Sequence, residues 1–266
     1  MWEVGRLVRA YWALLLAGAR RQAGYRLAMA SGLTAGVFFG IVRTAVFLAL
    51  YRDRGQVGGL DLPAVLTYVW ILECLFGVVW APWVWELPES IRAGDFAVEL
   101  LRPSDLYLRQ LAFELGRSLV LLVVRTPLPI AVAALLLPLR LPGDAAGLAV
   151  FAASLVLAAV IAFQVRFLLG AAAFWTPDYR TVFNFAFPIL YLAAGFVIPL
   201  DYFPPLLRAL ATYSPLDALV MAPVRAATGR APLAALAGQL AWVAGLWLLG
   251  RWVVALASRR LVVHGG

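Results

Sequence analysis

The sequence predicts an all-α polytopic membrane protein. It has six transmembrane helices, an N-terminal interfacial helix, a charged cytoplasmic element after the second span and a re-entrant helical hairpin before the last. Three observations carry this expectation. Of 266 residues, 64% are hydrophobic and the mean hydropathy is +0.89, well above a soluble domain. Six apolar stretches approach or exceed the length needed to cross hydrocarbon. The arginines are shared unevenly between the segments that join those stretches.

Residues 1–24 read as a surface helix rather than a signal peptide or a span. Arg6, Arg9, Arg20 and Arg21 interrupt the apolar residues, and no cleavage site follows a clean apolar core. Val4, Leu7, Val8, Tyr11, Leu14 and Leu15 recur at helical spacing, so one face is apolar, either lying in the headgroup plane or packed on protein. Six spans follow, at about 27–50, 63–86, 110–138, 147–174, 181–200 and 233–257. An even number leaves both termini on one side. If that side is the cytoplasm, the inner segments hold Arg6, Arg9, Arg20, Arg21, Arg26, Arg92, Arg102, Arg109, Arg180, Arg259 and Arg260. The outer ones hold only Arg52, Arg54, Arg140, Arg208, Arg225 and Arg230. This bias orients the chain N-in and C-in. Trp80, Trp83 and Trp85 fit an interfacial belt closing the second span.

The charged element is ESIRAGDFAVELLRPSDL, residues 89–106, on the cytoplasmic side. It reads as two short helices. Pro88 can open the first, Gly94 can end it in a left-handed cap, and Asp95 can cap FAVELLR, which must stop before Pro103. Ile91, Phe96, Val98, Leu100 and Leu101 are too many for a solvated loop. They call for a covering surface, either a soluble partner or the chain's own span ends. On the outer side, residues 196–229 carry two apolar segments of about two helical turns, LLRALATY and LDALVMAPV, separated by Ser214 and Pro215. Neither can cross a bilayer. They read as a hairpin dipping into the outer leaflet, the alternative being an amphipathic surface loop.

Taken in order, the N-terminal helix, the six spans, IRAGDFAVELLRP and the closing GFVIPLDYFPPLLRALATYSPLDALVMAPVRAATG resemble the permease subunit of an ABC-2 type exporter. The resemblance covers essentially the whole chain as a single permease domain. It implies a bacterial cytoplasmic (inner) membrane, a pair of separate ABC ATPase subunits holding ATP and Mg, and a second six-span permease as homodimer or heterodimer partner. It makes the cytoplasmic element (87–107) a coupling helix, with Ile91, Arg92, Gly94, Asp95, Phe96, Glu99, Leu101 and Arg102 facing the ATPase. It makes the outer hairpin (200–230) an extracellular gate shaped by Pro199, Pro204, Pro205 and Pro215. The cargo it implies is amphipathic, lipid-like or drug-like.

The residue inventory excludes several chemistries. No lysine is present, so the phosphate-cradling P-loop motif cannot form in this chain. A single cysteine, Cys74, and a single histidine, His264, leave no disulfide framework, two-histidine zinc site or serine–histidine catalysis. The net charge of +8 reports topology rather than a nucleic-acid partner. Within the spans stand Arg43, Glu73, Arg117, Arg125 and Arg166, which by cost should face a bundle interior and pair. Arg43 lies roughly 10 Å and Glu73 roughly 15 Å below the outer ends of their spans, with Arg125 near the midplane. Glu73 is expected to pair with Arg43 or Arg125, as a static brace or on a substrate path. Arg117 and Arg166 are expected to snorkel toward the cytoplasm, with Glu114 satisfying Arg117. Arg125-Thr126-Pro127-Leu128-Pro129 predicts a kink in the third span. Uptake rather than export, or a polytopic membrane enzyme, are the competing functions.

Overall fold

A computed structural model of the chain describes residues 2–79, 86–94 and 105–261, with side chains placed for 5–79, 86–94 and 105–258. It is 83% helical. Trp80, Trp83, Trp85, Asp95, Phe96, Val98, Glu99, Leu100, Leu101, Arg102 and His264 lie outside the described residues, as does the second short helix expected after Gly94.

The helices are α1 (Trp2–Gly24), α2 (Arg26–Leu50), α3 (Leu62–Val79), α4 (Glu86–Ala93), α5 (Leu106–Arg125), α6 (Pro127–Leu136) and α7 (Ala145–Gly170). They continue with α8 (Tyr179–Ala193), α9 (Pro205–Thr212), α10 (Pro215–Thr228) and α11 (Pro232–Leu261). Their ends follow local chemistry. Asp105, Asp144 and Ser214 accept from the backbone N–H of Leu108, Gly147 and Leu216, satisfying donors that the first turn leaves free. Gly94 ends α4 at φ +84° and Gly229 ends α10 at φ +72°, the left-handed conformation that side-chain-bearing residues avoid. The third span breaks at Thr126. Pro127 and Pro129 donate no N–H, while Thr126 N–H to Leu122 O and Ile130 N–H to Thr126 O keep the ladder bonded on either side.

Among the described residues, five helical segments are long and apolar enough to cross a membrane: Arg26–Leu50, Leu62–Val79, Leu106–Leu136, Ala145–Phe174 and Pro232–Ser258. The fifth expected span, 181–200, forms a helix of only 15 residues, α8. Its helix stops at Ala193 because Gly195 turns left-handed at φ +81° and Pro199 lies just beyond. The chain enters a 3-10 turn at Leu200–Tyr202 and then the α9–α10 hairpin. That hairpin is asymmetric. Leu206, Leu207 and Leu210 of α9 are exposed, whereas α10 is buried along nearly its whole length, against α3, α7 and α11.

The core centres on α3, where almost every side chain from Ala64 to Val78 is buried. In contrast, α2 and α11 each leave most of their surface uncovered. The most extensive helix pairing is between α1 and α5. Tyr11, Leu14 and Leu15 are partly covered and Gly18 and Gln22 are buried, while Leu7, Val8 and Trp12 stay exposed. The two backbones meet antiparallel through two glycines. A Cβ on Gly18 would lie 2.0 Å from the Phe113 carbonyl oxygen, and one on Gly116 would lie 1.9 Å from that of Leu15. Gly116→Val is therefore expected to lower the melting midpoint of the detergent-solubilised chain by several degrees, since overpacking of this kind costs about 1–3 kcal/mol. A melt identical to wild type would contradict the close approach.

Candidate functional site

The intramembrane charges meet where α2, α3, α5 and α8 converge. Gly32, Gly36 and Gly40 recur at intervals of four along α2, presenting a strip of bare backbone to α3. A Cβ on Gly40 would touch the Trp70 ring at 3.2 Å, and one on Gly36 would stand 3.9 Å from Glu73 Oε2. The strip lets a carboxylate sit within the helix pair. Arg43, one turn beyond Gly40, donates Nη1 to Glu73 Oε1 at 2.8 Å and Nη2 to the Tyr191 hydroxyl at 3.4 Å. Of the two arginines the sequence offers as partners for Glu73, the geometry selects Arg43.

Arg125, the last residue of α5, points its guanidinium between Gly32 and Gly77. A Cβ on Gly32 would fall 1.6 Å from Arg125 Nη2, and one on Gly77 would fall 2.0 Å from Nη1. Among the described residues Arg125 makes no hydrogen bond or ion pair, and its Nε is buried without a partner. Around these groups lies a cavity of about 280 Å³, lined also by Phe39, Phe76 and Tyr191. Ala35 and Phe39, both exposed, stand at its edge. Phe183, Phe187 and Tyr191 stack at four-residue spacing along α8, and Tyr191 stacks again on Phe196. An aromatic column therefore runs from the start of α8 to the cavity wall.

A second set of charges lies where α1, α4, α5 and α7 meet. Glu86 at the start of α4 accepts from Arg21 of α1 at 2.9 Å and from Arg117 of α5 at 3.0 Å. Arg117 also holds Glu114 at 3.1 Å. Arg166 of α7 donates to the carbonyls of Val78 and Val79, which the end of α3 leaves free, and lies 3.7 Å from Glu114. Arg117 and Arg166 are therefore not snorkelling, as the sequence suggested. Each is under a tenth exposed. Glu86, Glu114 and the helix-end carbonyls give them partners that the headgroup region would otherwise supply.

This lattice fixes α4, and of the two covers the sequence leaves open for Ile91, the chain's own helix ends are the one it meets. Helix α4 begins at Glu86, placing Pro88 in its first turn, where a missing N–H breaks no helical bond. Ile91 is buried with Leu106, Ala173 and Tyr179, so it folds back on the chain's own helix ends. It is an anchor to the bundle, not a free contact. Glu89, Arg92 and Gly94 stay exposed, with Glu89 bonded to Arg180 at 3.2 Å.

At the opposite end of the bundle, the hydroxyl of Tyr51, just past α2, donates to Leu60 O and lies 2.7 Å from the Tyr202 hydroxyl. Tyr68 of α3 donates to the Gly195 carbonyl. Burial and the Tyr51 hydroxyl push the Tyr202 phenol up from its ordinary value, so it stays protonated. Gly58, at φ +58°, lets the short antiparallel pair Gln56–Val57 and Leu60–Asp61 approach this turn, since a Cβ there would lie 2.7 Å from the Tyr202 ring. Pro199 precedes the 3-10 turn, Pro204 and Pro205 start α9, and Pro215 starts α10.

Sequence reading missed three features. The repeat of small residues on α2 was a visible signal for a close helix pair. The Arg251–Asp105 ion pair, 3.2 Å, joins residues 146 positions apart, and the tyrosine contacts are equally non-local. Residues 38–265 match the family described as ABC-2 family transporter protein. No curated protein and no solved structure matches the chain.

Proposed function

Because the chain belongs to the ABC-2 family of transporter proteins, we propose that it is the permease subunit of an ATP-driven exporter. The cargo is amphipathic, lipid-like or drug-like. A pair of separate ABC ATPase subunits binds ATP and Mg, and a second six-span permease completes the unit in a bacterial cytoplasmic membrane, with both termini inside. The chain's own residues do not fit ATP by a P-loop, for want of any lysine, and no step of hydrolysis is assigned to them.

The observation that carries this reading is the mounting of α4. A short charged helix, exposed on one side at Glu89 and Arg92, is bolted on its other side to α1, to α5 and, through Ile91 against Tyr179, to α8. Glu86 ties it to α1 and α5, and Ile91 seats it in a cluster with Leu106 at the start of α5. Force applied to the exposed side is thereby delivered to the spans. Gly94 is the turn at the end of this lever, and a β-branched residue at φ +84° would be strained. The outer hairpin, held by Tyr51, Tyr68 and Tyr202, is the gate at the opposite mouth.

The tagged chain purified from its own membranes is expected to bring an ABC ATPase, identified by mass spectrometry, and vanadate-sensitive ATP turnover. Arg92→Asp and Gly94→Val are expected to reduce the recovered ATPase at least tenfold while membrane insertion stays normal. Full recovery in both variants would contradict the role given to α4.

A further inference from the structure

The cavity between α2, α3, α5 and α8 holds two arginines against one glutamate, and that glutamate is already taken. Glu73 Oε1 lies 2.8 Å from Arg43, so Arg43 and Glu73 neutralise each other. Arg125 is the excess cation. Its side chain cannot withdraw easily, because the guanidinium is wedged between the backbones of Gly32 and Gly77. An arginine left without an acceptor at span depth is costly, and its planar fork suits a two-oxygen anion. We infer that this cavity binds the anionic headgroup, phosphate or carboxylate, of an amphipathic molecule on Arg125. The inference rests on the permease reading only in making that molecule the cargo.

Size and surroundings favour a headgroup over a whole ligand. The cavity of about 280 Å³ is at the lower limit for drug-sized pockets. It accommodates a phosphate group with some water, and a hydrocarbon tail must lie outside it. An apolar surface adjoins it at the mouth, where Phe39 and Ala35 are exposed. A cationic headgroup lacks an equivalent place, since it would have to share Glu73 with Arg43 and stand beside the uncompensated Arg125.

Binding is read without any ATPase, as the melting shift of the full-length chain in maltoside micelles. Dodecyl phosphate is expected to stabilise wild type in a saturable manner. Dodecyltrimethylammonium, of equal chain length, and inorganic phosphate at the same concentration are expected not to. Arg125→Gln should raise the half-saturating concentration of dodecyl phosphate at least tenfold. Ala35→Trp, which keeps every charge and sits on an exposed position, should do so by narrowing the mouth. Wild-type titration curves in both variants, or equal stabilisation by the cationic amphiphile, would overturn the inference. Equal stabilisation by inorganic phosphate would overturn the amphiphile assignment in favour of a free anion. A chain that recruits no ATPase yet passes this test would sink the permease reading alone, and the converse result would sink only the headgroup site.

Discussion

Glu73→Ala is expected to cost about 3–5 kcal/mol of stability, the usual penalty for removing one partner of a buried ion pair. The acid is about a twentieth exposed and is held by Arg43 at 2.8 Å. Its loss leaves Arg43 and Arg125 as two cations sharing one cavity with no anion among the described residues lining it. Their repulsion adds to the desolvation that Glu73 had offset. The double variant Glu73→Ala with Arg43→Gln, read against each single change, removes both members and should recover a measurable part of the loss. Non-additivity of about 1 kcal/mol or more is expected. Strict additivity in chemical or thermal denaturation would show that the pair contributes nothing as a pair.

Arg117→Leu is the second large effect, and it separates anchoring from mere stability. Arg117 is 3% exposed and donates to both Glu86 and Glu114. Leucine fills similar space but takes the 3.1 Å partner from Glu114 and the 3.0 Å partner from Glu86. A loss of about 3 kcal/mol follows from the charged hydrogen bonds removed. More specifically, α4 loses its tie to α5. ATP turnover of the assembled complex should then persist while its response to cargo falls. Arg21→Leu removes the more exposed tie and should show a weaker version of the same change, because exposed pairs hold little energy. Unaltered cargo response in Arg117→Leu would show that force does not pass through Glu86.

How much of this was legible in the sequence depends on the range of the interaction. The apolar runs of α2 and α11 report bilayer thickness directly, so Arg26–Leu50 and Pro232–Ser258 fall where run length places them. The break at Thr126 was equally local, since a proline at 127 removes a donor wherever it sits. The expected fifth span is helical only to Ala193, because its apolar run continues past that residue while the backbone reversal at Gly195 ends the helix. Ile91 illustrates a different limit. Spacing made it apolar and cytoplasmic, but whether its cover is a partner or Tyr179 depends on contacts 88 positions apart in the chain. Arg117 and Arg166 were misplaced for the same reason. Glu114, three residues before Arg117, was a legible partner and lies 3.1 Å from it, but Glu86 and the α3 carbonyls that also hold Arg117 and Arg166 become neighbours only once the helices are packed. The choice between Arg43 and Arg125 for Glu73 was likewise open, because it turns on glycines that clear space for one guanidinium against bare backbone.

The account stands or falls on what meets the exposed side of α4. A photo-crosslinking p-benzoylphenylalanine placed at Arg92, which is exposed at the end of that helix, tests it directly in intact membranes. The expected product is a covalent adduct between this chain and the ABC ATPase subunit, formed on the cytoplasmic side and changed in yield by ATP with vanadate. Adducts only to lipid, or accessibility of position 92 to impermeant reagents from outside the cell, would contradict both the orientation of the chain and the coupling role of α4.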